Sequence, residues 1–133
     1  MNAFKTVVLG ATTNPDRYAY RAVGQLLNNA IEAVPVGIRK GQTAGALPII
    51  NGQPMVENVH TITLYINRAI QKQYYDYILQ LQPKRVIFNP GTENPELYGI
   101  LKEKSPNTHI EIACTLVMLG IGNYTETDGG NPV

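Results

Sequence analysis

The sequence predicts a single α/β domain in which helices cover both faces of a five-stranded, mostly parallel sheet. Short apolar runs rich in β-branched residues alternate along the chain with longer segments whose apolar residues recur at helical spacing. The length of 133 residues suffices for one hydrophobic core and is too small for two. Hydrophobic residues make up 44% of the chain and charged residues 16%, which is typical of a globular protein.

The first third of the chain predicts two strands separated by a helix. Residues 6–10 form a short β-branched run, the pattern of a strand that is covered on both faces. Apolar residues within 19–30 then follow the i, i+3, i+4, i+7 spacing of an amphipathic helix. Residues 33–37 form the second strand, and we expect its Pro35, which lacks an N–H donor, to lie where the hydrogen-bond ladder ends. The aperiodic residues 38–58 predict an irregular connection.

The remaining chain repeats the alternation of strands and helices. The predicted strands are residues 59–65, 85–88 and 109–113, and the predicted helices are residues 66–81, a helix from residue 95 and a terminal turn at 115–121. Asn94 fits an N-cap, Pro95 the first helical position and Glu96 the acidic first turn. We assign residues 1–122 to the domain and expect the polar residues 123–133 to form a flexible tail.

Charge and composition exclude several classes of function. Eleven basic and ten acidic residues give a net charge of +1, so nothing favours nucleic acid or an anionic membrane as a partner. The single Cys114 excludes an internal disulfide framework. One cysteine and two histidines are too few ligands for a structural zinc site, so we predict no metal. A signal-peptide pattern and a bilayer-spanning apolar run are both lacking, so we expect a cytoplasmic protein.

Three loops are candidate binding segments, because ligands of open parallel sheets bind outside the carboxyl ends of the strands. They follow the first, second and fourth strands, at residues 10–17, 37–45 and 89–94. In the first loop Gly10 permits close backbone approach, Thr12 offers a hydroxyl, and the following helix presents free N–H groups to an anion. The alternative is an ordinary strand–helix turn that Asn14 or Thr13 caps.

The second loop favours a phosphorylated ribose over NAD. Where NAD sites usually place an acid, this chain has Arg39 and Lys40. Cations fit the 2′-phosphate of NADP or the 3′-phosphate of coenzyme A. The alternative is a solvated pair of cations on a loop.

The third loop combines a tight turn with polar side chains. Pro90 and Gly91 shape the turn, and Asn89, Thr92 and Glu93 offer hydrogen bonds to a ligand. The alternative is that this loop only caps the following helix, through Thr92 or Asn94.

Taken together, these segments resemble the small stand-alone CoA-binding proteins, which are similar to the CoA-binding domain of succinyl-CoA synthetase α subunits. The resemblance is carried by residues 7–21, by Val-Pro-Val at 34–36 with basic residues after it, and by residues 86–94. Cys114 falls where many members carry a cysteine. The resemblance covers residues 4–121 and departs from the family pattern at His60, along residues 62–66 and at Thr115.

The resemblance implies a Rossmann-like fold that binds CoA or an acyl-CoA across the three loops. It implies that the phosphates lie against Gly10, Ala11, Thr12, Pro15 and Arg17, the phosphorylated ribose near Arg39 and Lys40, and the pantetheine along Asn89, Pro90, Gly91 and Glu93.

Cys114 and Tyr75 are further candidates, one as a reactive thiol and the other as an interface residue. Cys114 follows the fifth strand, where a thiol could be acylated or form a mixed disulfide with CoA, although a small buried hydrophobe is the favoured interpretation. Tyr75 projects away from the apolar helix face shared by Tyr74 and Tyr77 and could mark a homodimer contact.

The sequence therefore predicts non-catalytic binding of CoA or an acyl-CoA, as a sensor or carrier, because no constellation of residues demands an enzyme. One alternative is an NADP-dependent reductase, which is weakened by the missing G-x-G-x-x-G pattern and the missing acid–base pair. The other is a degenerate Rossmann-like domain that serves only in protein interaction.

Overall fold

A computed structural model describes residues 3–126, and within them five parallel strands form one sheet in the order β2-β1-β3-β4-β5. The strands are β1 (Thr6–Leu9), β2 (Ala33–Val36), β3 (Thr61–Leu64), β4 (Arg85–Phe88) and β5 (His109–Ile112). The helices are α1 (Tyr18–Asn28), α2 (Arg68–Gln71), α3 (Tyr75–Leu81), α4 (Pro95–Lys104) and α5 (Thr115–Ile121), and 3-10 turns occupy Ala44–Ala46 and Lys72–Tyr74. The predicted fold class, a three-layer α/β/α domain of Rossmann-like type, is confirmed.

Alternate residues of the strands face two separate cores, which is why the strands read as continuous apolar runs rather than as alternating ones. One core packs α3 and α4 against the sheet residues Val7, Leu9, Ile62, Leu64, Val86 and Phe88. The other packs α1 and α5 against Val8 and Ile87. The buried stripe of α1 consists of Ala19, Ala22, Val23 and Leu26, as the helical spacing predicts.

The edge strand β2 accommodates its proline without losing a ladder bond. The carbonyl oxygen of Pro35 accepts a hydrogen bond from the Ile50 N–H at 2.9 Å, on the side of β2 that faces away from β1. The nitrogen of Pro35 points to that same outer side, where β1 requires no donor.

The helix predicted at residues 66–81 is wrong as one continuous element. The Oδ1 atom of Asn67 accepts from the Ile70 N–H at 3.0 Å and fixes a later start for α2. Gln71 is fully buried, and its Nε2 donates to the carbonyl oxygens of Ile66 and Thr92, both at 2.8 Å. These bonds tie the short α2 to the loop after β4, and the chain passes through a 3-10 turn before α3 begins at Tyr75.

The chain after α5 packs on the amino end of the sheet. Tyr124 is 2% exposed, and its hydroxyl shares a 2.6 Å hydrogen bond with Thr6 Oγ1. The fully buried Arg85 donates from Nε to Thr61 Oγ1 at 2.9 Å and from Nη1 to the Tyr124 carbonyl at 2.8 Å, and its guanidinium lies 4.3 Å from the centre of the Tyr124 ring. Tyr124 belongs to the segment 123–133 that the sequence predicts as a flexible tail, and residues 127–133 of that segment lie outside the described residues.

None of the helices within residues 3–126 has the length and apolar character that crossing a bilayer requires.

Candidate functional site

A cleft of about 470 Å³ opens at the carboxyl ends of β1, β3 and β4. The chain runs from β1 outward to β2 on one side and continues through β3 on the other, so the order of strands reverses between β1 and β3. Ligands of doubly wound sheets bind at such a switch point. The cleft is lined by Gly10, Thr12, Arg17, Tyr18, Ala19, Tyr65, Asn67, Pro90, Gly91 and Thr92.

Two glycines bring the loop after β2 against the loop after β1. A Cβ atom at Gly37 would lie 2.4 Å from the carbonyl oxygen of Ala11, a distance at which the backbone must move. A Cβ atom at Gly41 would lie 2.8 Å from Cγ2 of Thr13. The exposed Arg39 and Lys40 stand between these two glycines, so their loop is held beside the β1–α1 loop.

The N-terminus of α1 carries no side-chain cap. Arg17 occupies the N-cap position without a side-chain hydrogen bond to the helix, and the first turn has no acid. Asn14 Oδ1 accepts instead from the Asp16 N–H at 2.9 Å, and Thr12 Oγ1 accepts from the Asn14 N–H at 3.2 Å. The side chains of Asn14 and Thr13 therefore do not cap α1, and its first N–H groups remain available to an anion.

The loop after β4 is organised by its own side chains. The Gly91 N–H donates to Glu93 Oε1 at 2.9 Å, and the Thr92 hydroxyl donates to the Asn89 carbonyl at 2.8 Å. Asn94 caps α4 by accepting from the Leu97 N–H, as its position before Pro95 predicts. Glu93 thus closes a turn, and the N-terminus of α4, unlike that of α1, has a side-chain cap.

Asn89 is a buried bridge between three elements. Its Nδ2 donates to Thr63 Oγ1 at 2.7 Å and to the Leu64 carbonyl at 2.9 Å, and its Oδ1 accepts from the Thr115 N–H at 2.9 Å. Both amide hydrogens are therefore used within the protein. Asn89 joins the ends of β3 and β4 to the start of α5, and the ligand contact predicted for it stays a prediction.

Six of the residues that the sequence selects come together in the cleft: Gly10, Thr12, Arg17, Pro90, Gly91 and Thr92. Glu93 lines an adjoining cavity of about 560 Å³, which shares Gly91 and Asn67 with the cleft. The remaining predicted residues Ala11, Pro15, Arg39, Lys40 and Asn89 are not part of the cleft lining.

Three residues that the sequence pattern does not indicate also line the cleft: Tyr18, Tyr65 and Asn67. Burial raises the pKa of Tyr65 well above its usual range, although the nearby hydroxyls of Thr115 and Thr63 oppose that shift. The signal that could have found Tyr65 is its position directly after β3, a strand that borders the switch point.

Two further hypotheses concern Cys114 and Tyr75. Cys114 is half-buried, neither enclosed in the core nor fully exposed, and occupies the N-cap position of α5. The Tyr75 hydroxyl donates to Glu96 Oε1 and accepts from Asn94 Nδ2, both at 2.9 Å, and burial raises the pKa of Tyr75. These bonds account for Tyr75 within one chain, and the dimer contact suggested there stays a prediction.

A second cavity, of about 600 Å³, lies at the opposite, amino edge of the sheet beside Lys5, His60 and Lys84. The cleft at the carboxyl edge is the better candidate, although it is smaller, because the uncapped start of α1 opens there. Within residues 3–126, no group of three His, Cys, Asp or Glu side chains is placed to hold a metal ion.

Comparison with known proteins extends the resemblance seen in the sequence. A solved structure described as that of an uncharacterized protein is 51% identical, and the match covers 91% of this chain and 98% of that chain with a TM-score of 0.86. A Thermus thermophilus protein at 21% identity shares the fold over 91% of both chains (TM-score 0.76). A hypothetical protein from Pyrococcus horikoshii OT3, 18% identical, shares it over 85% of this chain and 79% of its own (TM-score 0.74). No curated protein matches the chain.

Residues 5–120 match the family described as the CoA binding domain, and this range includes all five strands and every residue that lines the cleft. The chain therefore belongs to the CoA binding domain family.

Proposed function

We propose that this protein binds coenzyme A or an acyl-CoA in the cleft at the carboxyl edge of its sheet, and that it acts as a sensor or carrier without catalysing a reaction. The observation that carries the proposal is the uncapped N-terminus of α1, which opens into this cleft in a member of the CoA binding domain family.

The start of α1 has the chemistry that a pyrophosphate requires. Free N–H groups and the positive end of the helix dipole favour an anion, by about 0.3–1 kcal/mol for the dipole at an exposed site. Arg17, at the N-cap position, adds a cation beside them. The diphosphate of CoA would lie against Gly10, Thr12 and Arg17, and the absence of a side chain at Gly10 lets Tyr65 pack against this loop, since a Cβ there would lie 3.0 Å from the Tyr65 carbonyl oxygen.

The 3′-phosphate of CoA would lie beside Arg39 and Lys40. Both residues are exposed, and the close approach of Gly37 to Ala11 and of Gly41 to Thr13 holds their loop next to the phosphate loop. Charge-assisted hydrogen bonds from these side chains distinguish a phosphorylated ribose from an unphosphorylated one.

The pantetheine arm would follow the third loop along Pro90 and Gly91. It would pass between this loop and Tyr65, which lines the same cleft. Ala11, Pro15, Asn89 and Glu93 are proposed as supports of the binding loops, and Cys114 as a thiol near the far end of the arm.

Calorimetry tests the proposal with five ligands: CoA, acetyl-CoA, dephospho-CoA, NADP and NAD. We expect CoA and acetyl-CoA to bind and to raise the unfolding temperature, because a ligand that binds only the native state stabilises it by about 2.7 kcal/mol at a hundredfold excess over Kd. Binding of NADP alone would favour a reductase. If none of the five binds, the protein is a Rossmann-like domain used for protein interaction, and the proposal fails.

A double variant tests the role of the second loop. Arg39→Ala with Lys40→Ala should weaken CoA binding by about 1.5–3 kcal/mol in total, whereas the affinity for dephospho-CoA should hardly change. The control is Lys102→Ala with Lys104→Ala, which removes two exposed cations from the last turn of α4, at the other edge of the sheet. Equal weakening of both ligands by the first variant would show that the loop does not recognise the phosphate.

A further inference from the structure

The outer edge of β5 is the most exposed strand edge in the described part of the chain. All residues of β1, β3 and β4 are buried, whereas no residue of β5 is fully buried, and Ile112 is 58% exposed. Among residues 3–126, β5 forms the end of the sheet and pairs only with β4. At the other end of the sheet, the segment around Ile50 hydrogen-bonds along β2 and covers that edge.

The geometry of β5 shows which backbone groups face outward. The N–H groups of His109 and Ala113 donate to carbonyl oxygens of the β4 segment, at 2.8 Å and 3.2 Å. Successive residues of a strand direct their N–H and C=O groups to opposite edges. The N–H and C=O groups of Ile110 and Ile112 therefore point away from the sheet, the arrangement that lets a second strand pair with an edge.

Exposed apolar side chains also lie on β5 and on the helix that follows it. Ile112 lies in β5, and Val117 and Ile121, which are 57% and 69% exposed, lie four residues apart on the outer face of α5. Ile112 lies on the same sheet face as Ile110, which packs with α3 and α4, whereas α5 packs on the other face, so exposed apolar side chains occur on both sides of the β5 edge.

We propose that two copies of this chain form a dimer by antiparallel pairing of their β5 strands around a twofold axis at Ile110. The pairing joins the two five-stranded sheets into one. At the axis, the N–H of each Ile110 donates to the carbonyl oxygen of Ile110 of the partner subunit. The strand that pairs with β5 comes from a second copy of this chain, because the sequence of β5 is complementary to itself in this register.

The complementarity comes from His109 and Glu111, which lie on the same face of β5. Their side chains are 29% and 28% exposed, and His109 Nε2 lies 3.0 Å from Glu111 Oε1 within one chain. An axis at Ile110 places each His109 opposite Glu111 of the partner subunit, whereas an axis at Glu111 would place two carboxylates opposite each other. An imidazole N–H can donate a hydrogen bond to a facing carboxylate, whereas two facing carboxylates repel each other, so these side chains favour the axis at Ile110 over the axis at Glu111.

Light scattering measures the mass directly. The monomer mass is 14.6 kDa, and we expect twice this value at high protein concentration with dissociation on dilution. A mass that stays at that of the monomer up to the solubility limit overturns the proposal. CoA binding plays no part in this argument, so failure of the dimer leaves the proposed function untouched.

Two substitutions at one position separate backbone pairing from side-chain contact. Ile110→Pro removes the outward N–H without removing a hydrogen bond to β4, whereas Ile110→Ala removes the same side chain and keeps the N–H. We expect the proline variant to weaken the dimer tenfold or more relative to the alanine variant, because two hydrogen bonds are lost at the axis. Urea unfolding of both variants verifies that they fold, and equal dimer affinity of the two overturns strand pairing.

Disulfide trapping tests the register in a Cys114→Ala background. A Cα–Cα separation of about 5.5 Å at a hydrogen-bonded pair is within disulfide range, so Ile110→Cys should form a covalent dimer on mild oxidation. Glu111→Cys should not, because the axis at Ile110 offsets the two copies of residue 111. Cross-linking through residue 111 and not through residue 110 would overturn the proposed register.

Discussion

Replacing Asn89 with alanine is expected to lower the free energy of unfolding by about 3–4 kcal/mol, because the Asn89 amide is the only side chain described as joining Leu64 and Thr115. It is 2% exposed and forms three hydrogen bonds, to Thr63, Leu64 and Thr115. The Thr63 hydroxyl keeps a second partner at 2.7 Å, the hydroxyl of Thr115.

The magnitude follows from the groups that lose their partner in the Asn89→Ala variant. The Leu64 carbonyl and the Thr115 N–H would each lose the bond that Asn89 supplies in a water-free environment. An unsatisfied buried donor or acceptor costs about 1–3 kcal/mol. Two such groups, together with the small cavity left by the amide, give the expected total.

Urea unfolding followed by circular dichroism measures the loss. We expect the midpoint to fall and the slope to stay the same, since the folded surface is unchanged. Asn107→Ala is the control, because Asn107 is exposed and a surface substitution usually changes stability by less than about 0.5 kcal/mol. A loss below about 1 kcal/mol for Asn89→Ala would refute the view that this amide holds β3, β4 and α5 together.

Three other outcomes follow from the structure. Gly37→Ala should destabilise the fold by more than about 1 kcal/mol and weaken CoA binding, because its Cβ would lie 2.4 Å from the Ala11 carbonyl oxygen. Gly99→Ala, in open space on α4, should stabilise the fold by about 0.5–1 kcal/mol in thermal unfolding. Burial raises the pKa of Tyr77 from 10.0 to about 12. The free energy of unfolding should therefore fall as the pH rises from 10.0 toward about 12, and Tyr77→Phe should reduce that fall in urea titrations across alkaline pH. Arg85→Met should cost less than Arg85→Ala in the same assay, because both variants remove the charge and its hydrogen bonds while methionine refills more of the buried volume; the opposite order would show that the space left by Arg85 does not accept a long apolar side chain.

The features that the sequence predicts well are encoded locally. The start of α4 at Pro95 is confirmed because Asn94, Pro95 and Glu96 each satisfy one requirement of a helix N-terminus. The strand at Arg85–Phe88 is confirmed because a short apolar run between a proline and a turn leaves no room for another element.

The features that the sequence analysis missed depend on contacts between distant segments. Spacing alone merges α2 and α3, because the bonds of Gln71 that fix α2 reach Thr92 in a loop that follows another strand. Tyr65 was not selected as a cleft residue, because its place at the switch point depends on the order of the strands. The burial of Arg85 depends on Tyr124, 39 residues later. The residues in these contacts are too far apart in the sequence for a local hydrophobic pattern to connect them.

The bond between Thr6 and Tyr124 joins residues that are 118 positions apart, and it has a consequence for biosynthesis. A nascent chain presents β4 and its Arg85 39 residues before Tyr124 leaves the ribosome. At about 5–20 residues per second, that interval lasts about 2–8 s. During it the guanidinium has no aromatic ring above it and no carbonyl partner from Tyr124, so the amino end of the sheet stays open to water and to chaperones until the last described residues emerge.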